Sequence, residues 1–232
     1  IDELLKSRHP YKKWLREHII RLESSFDKLE KPNLPEGETL KVFQKYFQVS
    51  FEEREQVLSP LAESGAEGTG SMGDDTPMAV LSAKERSLYE YFRQKFAQVT
   101  NPPIDPLRES IVMSLETCLG AEKNIFEETA DHANRVILSS PILSANKYQR
   151  LLNISEPGYA VELIDLSYNP EETTLADAVN AVAEKAARAT SGGKVLLVLS
   201  DRNIAKDRLA IHSLLATGAV HHHLIQSGLR CD

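Results

Sequence analysis

Cysteine is scarce in this sequence, and so are long apolar runs. Its 232 residues include two cysteines, Cys118 and Cys231, and neither has a C-x-x-C or C-x-x-H spacing. The sequence therefore predicts neither a disulfide framework nor a zinc site. The longest purely aliphatic run, from Val195 to Leu199, is far too short to span a bilayer. We expect no membrane association.

The first residues do not have the pattern of a leader segment. No signal peptide precedes the first predicted helix, and the sequence opens at Ile1 rather than at a methionine. We therefore expect a cytoplasmic location. We also expect the chain to be a fragment of a longer protein.

Positive charge is in the minority, with 27 Lys and Arg against 34 Asp and Glu and a net charge of -7. Because neutralising phosphates takes a concentrated basic face, we expect no nucleic acid partner. One basic stretch lies near the start of the chain. We interpret it as a solvated helix face rather than a binding patch; it contains Lys6, Arg8, Lys12, Lys13, Arg16 and Arg21.

The first half of the chain has the apolar spacing of helices. A second predicted helix carries Leu40, Phe43, Tyr46 and Phe47, and a third covers residues 51–62. Prolines and a glycine in residues 31–38 precede the second helix, and glycines from Gly65 onward end the third. The stripe of the first helix consists of Tyr11, Trp14, Leu15, His18, Ile19 and Leu22.

Two more helices are predicted further along. Ser82 and Glu85 have the spacing of a capping box, which predicts a helix over residues 83–99. Asn101, Pro102 and Pro103 end that helix, because a residue before proline leaves helical geometry. Asp105 and Pro106 then begin another helix. Its apolar stripe is Leu107, Ile111, Leu115 and Leu119, and it ends at Gly120.

The pattern changes after about residue 158. Residues 160–166 are predicted as a strand, residues 174–190 as a helix and residues 194–199 as a buried strand. This order and spacing favour a crossover and parallel pairing. Residues 205–226 are predicted as a helical element interrupted at Gly218. The fold class is therefore α/β, a helical N-terminal half followed by βα units, and we expect the series to continue past residue 232.

Three groups of residues could carry chemistry. Gly70, Gly73, Asp74 and Asp75 could cradle a phosphate or a divalent cation, but no phosphate-loop spacing is present, which favours a structural loop or a domain contact. Ser200, Asp201 and Arg202 follow a buried strand, where α/β sheets place active sites. The simpler interpretation is that Ser200 or Asp201 caps the next helix.

The third group is a run of histidines, His221, His222 and His223. Neighbouring residues on a helix point about 100° apart, so the three cannot converge on one metal ion. Cys118 lies within the last predicted apolar stripe, where cysteine behaves as a small hydrophobe. No catalytic, cofactor or metal site is predicted from these residues.

Several segments resemble the central domain of the glutamate synthase large subunit. The most specific of them are the loop GSMGDDTP from Gly70 and the segment NPPIDPLRE from Asn101. The others are HPYKKWL, SLETCLGAEKNIFEE, SSPIL, LLVLSDR and GAVHHHLIQSGLRCD. The GSMGDD loop and the LRCD ending are more similar to the bacterial NADPH-dependent type of the enzyme than to the ferredoxin-dependent type.

The resemblance implies a place between two catalytic parts of one enzyme. Members of the family join an amidotransferase domain to an FMN-binding barrel that carries an iron-sulfur cluster, and ammonia passes between them to make glutamate from glutamine and 2-oxoglutarate. The central domain has no cofactor of its own and is similar to the flavin barrel. The resemblance therefore implies an incomplete barrel-like βα domain here, and FMN, the cluster, NADPH and a small electron-transfer subunit in the whole enzyme.

On this basis residues 1–30 are expected to lead from the amidotransferase, residues 31–150 to be the helical part and residues 151–232 the βα units. The chain alone is expected to be an inactive connector. The alternative is an independent α/β enzyme or ligand module that uses Ser200, Asp201 and one of Asp74 or Asp75. The predicted contacts to the neighbouring domains are Gly70, Ser71, Met72, Gly73, Asp74, Asp75, Thr76, Pro77, Asn101, Pro102, Pro103, Asp105 and Arg108.

Overall fold

The fold is known from a computed structural model, which describes residues 2–22, 35–64, 79–92, 114–154 and 158–230. The backbone contacts divide the chain into two units. The first unit combines Ile1–Glu30 with Met113–Asp232, and the second is Lys31–Val112.

The first unit contains both helices and short strands. Its helices are α1 Asp2–Arg8, α2 Tyr11–His18, α6 Ala145–Leu152, α7 Leu175–Ser191 and α8 Ser213–Gln226, with a 3₁₀ turn at Ala130–Ala133. Its strands are β1 Ile20–Arg21, β2 Thr117–Leu119, β3 Val136–Leu138, β4 Val161–Asp165, β5 Ser167–Tyr168, β6 Leu196–Ser200 and β7 Leu209–Ala210. The second unit contains α3 Gly37–Tyr46, α4 Phe51–Glu53 and α5 Ser59–Ser64.

The strands of the described residues form small sheets and no closed barrel. In one sheet β3 lies between β1, which is parallel to it, and β2, which is antiparallel. The other two sheets are the parallel pair β4 and β6 and the antiparallel pair β5 and β7. A mixed α/β fold is thus confirmed, with parallel pairing where it was predicted.

The β4–α7–β6–α8 segment holds the larger core of the first unit. Ile164 is 1% exposed and packs with Val182 of α7 and Val220 of α8. Thr174 caps α7 by accepting a hydrogen bond from the N–H of Asp177 at 3.2 Å. The predictions for residues 160–166 and 174–190 are confirmed, whereas β6 is half-buried rather than buried.

A second core lies under the three-stranded sheet. Leu22, Val136, Leu138 and Leu151 are buried there with Tyr159, whose hydroxyl donates to Asn134 Oδ1 at 2.9 Å. The first helix was predicted to extend through Ile19 and Leu22, but it ends at His18. Pairing of Ile20 and Arg21 with β3 overrides the helical spacing and buries Leu22.

Two other helix predictions in the first unit are wrong in part of the range that the structure describes. Cys118 lies in β2 opposite Ile137, not in a helix, and it is exposed rather than packed as a small hydrophobe. Residues 205–226 do not form one helix, because Leu209 and Ala210 pair with β5. Helix α8 starts at Ser213 and passes Gly218 without interruption, since Ala216, Val220 and Leu224 bury one continuous face.

No described residue of the second unit is buried. Helix α3 confirms the second predicted helix, and the N–H of Glu53 donates to the Ser50 side chain at the start of α4. A π-helical turn, Arg54–Leu58, joins α4 to α5. It precedes Pro60, which has no N–H to continue the regular ladder. The third helix is therefore confirmed with a local change of pitch.

The capping box at Ser82 is not formed. The Ser82 hydroxyl accepts from the N–H of Lys84 at 3.2 Å, which closes a local turn that competes with a helix. Within residues 79–92 the helical structure is limited to a 3₁₀ turn at Leu88–Tyr91. The rest of the predicted helix and the segment from Asn101 to Ile111 lie outside the described residues.

Candidate functional site

The carboxyl edge of the parallel pair β4 and β6 is the polar feature of the first unit that most resembles a site. Asp165 ends β4 directly opposite Ser200, which ends β6. The carbonyl of Ser200 accepts from the N–H of Leu166 at 2.8 Å. Both side chains therefore stand where parallel sheets place functional groups.

Asp165 is the centre of a hydrogen-bonded cluster, here called the Asp165 cluster, formed with Ser167, Asn203 and Arg208. The amide of Asn203 and the guanidinium of Arg208 donate to Asp165 Oδ2 at 3.0 and 3.1 Å. The N–H of Ser167 donates to Oδ1 at 2.9 Å, and Arg208 also donates to the Ser167 hydroxyl. The cluster ties the turn after β6 to the end of β4.

These partners control the charge of Asp165. Burial alone would raise the pKa of its carboxyl, but the hydrogen bonds from Asn203 and Ser167 and the charge of Arg208 outweigh burial. The pKa of Asp165 is therefore lowered, and the side chain is a carboxylate at neutral pH. Chemically, the cluster is a fixed ion pair that positions a loop.

The residues predicted from the sequence at this edge have other surroundings. Arg202 stacks over the ring of Tyr148 on α6, with 5.0 Å from its guanidinium carbon to the ring centre. Neither Ser200 nor Asp201 caps the next helix, so that interpretation is wrong. The side chain of His212 is the N-cap of α8 and accepts from the N–H of Leu214 at 3.3 Å.

Sequence reasoning missed Asp165, Asn203 and Arg208. The position of Asp165 at a strand end was a usable signal, the same one that identified Ser200. Asn203 and Arg208 lie 38 and 43 residues from Asp165 in the sequence. No local spacing predicts their meeting, because the pairing of β5 with β7 brings them together.

The three histidines lie near the end of α8. His221 accepts a hydrogen bond from Arg230 Nε at 3.0 Å, and its ring meets that of His222 edge-on at 5.4 Å. The ring of His223 takes no part in these contacts. Across the described parts of the chain, no three His, Cys, Asp or Glu side chains are grouped to hold a metal ion.

The predicted interdomain contacts, from Gly70 to Pro77 and from Asn101 to Arg108, all lie outside the described residues. They stay predictions. In the part of the chain that is described, no helix has both the length and the apolar character needed to cross a bilayer.

The chain matches a family model described as the glutamate synthase central domain over residues 42–232. It is 41% identical over 235 residues to the chloroplastic ferredoxin-dependent glutamate synthase of Spinacia oleracea, a match that covers 99% of this chain and 14% of that protein. It is 42% identical over 185 residues to the NADH glutamate synthase of Saccharomyces cerevisiae, covering 78% of this chain and 9% of that protein.

A cyanobacterial relative, ferredoxin-dependent glutamate synthase 2 of Synechocystis, is 38% identical over 239 residues and covers 99% of this chain and 15% of that protein. The chain thus spans less than a sixth of the length of each of these relatives. Since the family model covers more than half of the chain, the match decides its family. This chain belongs to the glutamate synthase central domain family.

Proposed function

We propose that this chain is the central, non-catalytic segment of a glutamate synthase, where it connects the glutaminase site with the FMN synthase site. In the whole enzyme, ammonia released from glutamine then reacts with 2-oxoglutarate to give L-glutamate. The match of residues 42–232 to the central domain model is the observation that carries this proposal.

The Asp165 cluster supports a connecting role. Its carboxylate, amide and guanidinium are bonded to one another and hold the turn after β6. Such groups fix distances within a scaffold, whereas a general acid or base needs a proton to exchange with a substrate. A rigid strand edge suits a domain that must keep two remote sites at a fixed distance and orientation.

An incomplete barrel similar to the flavin barrel is the finer fold that we propose for residues 151–232. The order β4, α7, β6, α8 and the parallel strands support it. Both helices pack on the Ile164 side of the sheet. Leu163, on the other side, is 50% exposed, as expected for a face that further strands would enclose.

The residues of this chain do not fit the redox groups of the whole enzyme. A 2Fe–2S or 4Fe–4S cluster is usually held by four cysteine thiolates, and the sequence has two cysteines, which lie far apart in it. A flavin phosphate is commonly bound by a cationic side chain. At the strand edge, the guanidinium of Arg208 is already bonded to Asp165 and Ser167. We therefore assign FMN, the cluster and the NADPH-linked small subunit to other parts of the enzyme.

The partners of this chain in the proposal are the amidotransferase and FMN-binding domains. Residues 1–30 lead from the first of them, and the loops at Gly70–Pro77 and Asn101–Arg108 contact both. A cytoplasmic location and NADPH dependence complete the proposal. Assays of the whole enzyme with NADPH, NADH and reduced ferredoxin test the choice of electron donor.

A thermal-shift titration of this chain with FMN, nucleotides and divalent ions separates the connector from an independent enzyme. Binding to the native state must raise the melting temperature, so a connector is expected to show no shift. A shift with any of these ligands that is lost in Asp201→Ala would instead support a ligand site at Ser200 and Asp201. Flavin absorbance that stays with the protein through gel filtration would also contradict the proposal.

A further inference from the structure

An open notch lies between α1 and α2 on the surface of the first unit. Its volume is about 820 Å³. The side chains that give it its character are Leu5, Lys6, Pro10, Lys12, Leu15 and Arg16. The notch is therefore lined by apolar side chains together with several positive charges.

One side of α2 lies towards the 3₁₀ turn, and Tyr11 and Leu15 line both the groove on that side and the notch. Tyr11 and Trp14 lie on the side of the helix near the 3₁₀ turn Ala130–Ala133, where they line a smaller groove with Ile125 and His132. Lys12 and Arg16 are four residues apart and share a different face, which borders the notch. Leu15 is 50% exposed and Leu5 is 46% exposed. These leucines thus leave apolar surface open to a partner.

Four Lys and Arg side chains and one carboxylate line the notch, and Lys13 is paired with that carboxylate, Glu17. Lys6, Lys12 and Arg16 form no ion pair with any described side chain, whereas Arg8 pairs with Glu128 at 3.3 Å and Lys13 with Glu17 at 3.9 Å. The sign of this patch is opposite to the net charge of the chain, which is -7. Cations without an ion-pair partner attract negative charge, and the open apolar surface beside them favours contact with apolar side chains.

We propose that the notch between α1 and α2 docks an acidic peptide segment of a partner protein. Apolar side chains of the segment contact Leu5 and Leu15, and its carboxylates face Lys6, Lys12 and Arg16. A concave site lined by leucines fits a segment with protruding side chains better than a flat membrane. The docking surface does not depend on the connector role.

Fluorescence anisotropy tests the proposal with the 232-residue chain and a labelled peptide of about four helical turns, with leucines on one face and glutamates on the other. We expect binding that weakens as salt is added. A peptide with glutamine in place of every glutamate is expected to bind at least about tenfold more weakly. These two comparisons need no variant of the protein.

Two variants locate the site. The double variant Lys12→Glu/Arg16→Glu is expected to bind the acidic peptide about tenfold or more weakly, because electrostatic attraction becomes repulsion. The control Arg188→Glu/Lys206→Glu makes the same charge change at exposed positions elsewhere and is expected to leave binding unchanged. Leu5→Ser is expected to weaken binding without altering its salt dependence. Circular dichroism confirms that each variant is folded.

Several results would overturn the proposal. One is an absence of peptide binding to the unaltered chain, and another is equal binding by the notch variant and the control. Capture by phosphatidylserine vesicles without peptide binding would make the patch a membrane site. Dimerisation that disappears in the notch variant, without peptide binding, would make a second copy of the chain the occupant.

Discussion

Arg208 donates a hydrogen bond to the carboxylate of Asp165, which lies 43 residues earlier, at 3.1 Å. The bond closes the turn after β6 onto the end of β4, and Asn203 adds a second bond at 3.0 Å. Arg202 in the same turn stacks on Tyr148 of α6. Contacts with two separate elements therefore fix this turn.

Removing the guanidinium should loosen the turn. We expect Arg208→Ala to lower the free energy of unfolding by about 1 kcal/mol, a small value because both partners are partly exposed and screened by solvent. Arg188→Ala, which breaks an exposed pair with Glu184, should change stability by less than about 0.5 kcal/mol. Urea denaturation measures both. Equal effects would show that the Asp165 cluster does not hold the turn.

The lowered pKa of Asp165 makes part of the stability dependent on pH. A carboxyl whose pKa is lowered by folding stabilises the fold above its unfolded pKa, ordinarily 3.8, and this contribution is lost as pH falls through the folded value. The difference in unfolding free energy between the unaltered chain and Asp165→Asn should therefore be largest near neutral pH. It should shrink below about pH 4.

Urea titrations from neutral to acidic pH measure that difference, and Asp207→Asn, in the same turn, provides the baseline. A difference for Asp165→Asn that stays constant at acidic pH would mean that the ionised carboxylate contributes nothing specific.

Neighbouring positions of β4 test the two faces of the sheet. Ile164 is 1% exposed, so Ile164→Ala should cost roughly 2–5 kcal/mol of unfolding free energy. Leu163 is 50% exposed, so Leu163→Ala should cost less than about 1 kcal/mol in this chain. Thermal or urea unfolding of the two variants checks the contrast. Similar losses would contradict the assigned faces.

The same leucine tests the barrel-like fold in the whole enzyme. If further strands enclose the Leu163 face there, Leu163→Ala should lower the melting temperature of the full-length protein clearly more than Leu175→Ala, an exposed leucine at the start of α7. Equal, small shifts for the two variants would show that the Leu163 face stays open and that no barrel is completed on that side.

Local patterns predicted the elements whose stability is local. The spacing of Ala178, Val182 and Ala186 was enough to place α7, and the aliphatic run from Val195 to Leu199 was enough to place β6. Cys118 and Leu119 read as the end of a helix because spacing ignores a partner strand, and β3 supplies one. The contact between Asp165 and Arg208 could not be predicted for the same reason, because it depends on the pairing of two strands that lie far apart in the sequence.

The coupling of the two half-reactions tests the connector role most directly. In the full-length enzyme, glutamine hydrolysed per glutamate formed should rise in Asp74→Ala/Asp75→Ala, with glutaminase activity and melting temperature retained, because a disturbed domain contact lets ammonia escape. The control Glu171→Ala/Glu172→Ala, an exposed acidic pair in the first unit, should leave the ratio unchanged. An equal loss of both half-reactions, with a large drop in melting temperature, would contradict the account.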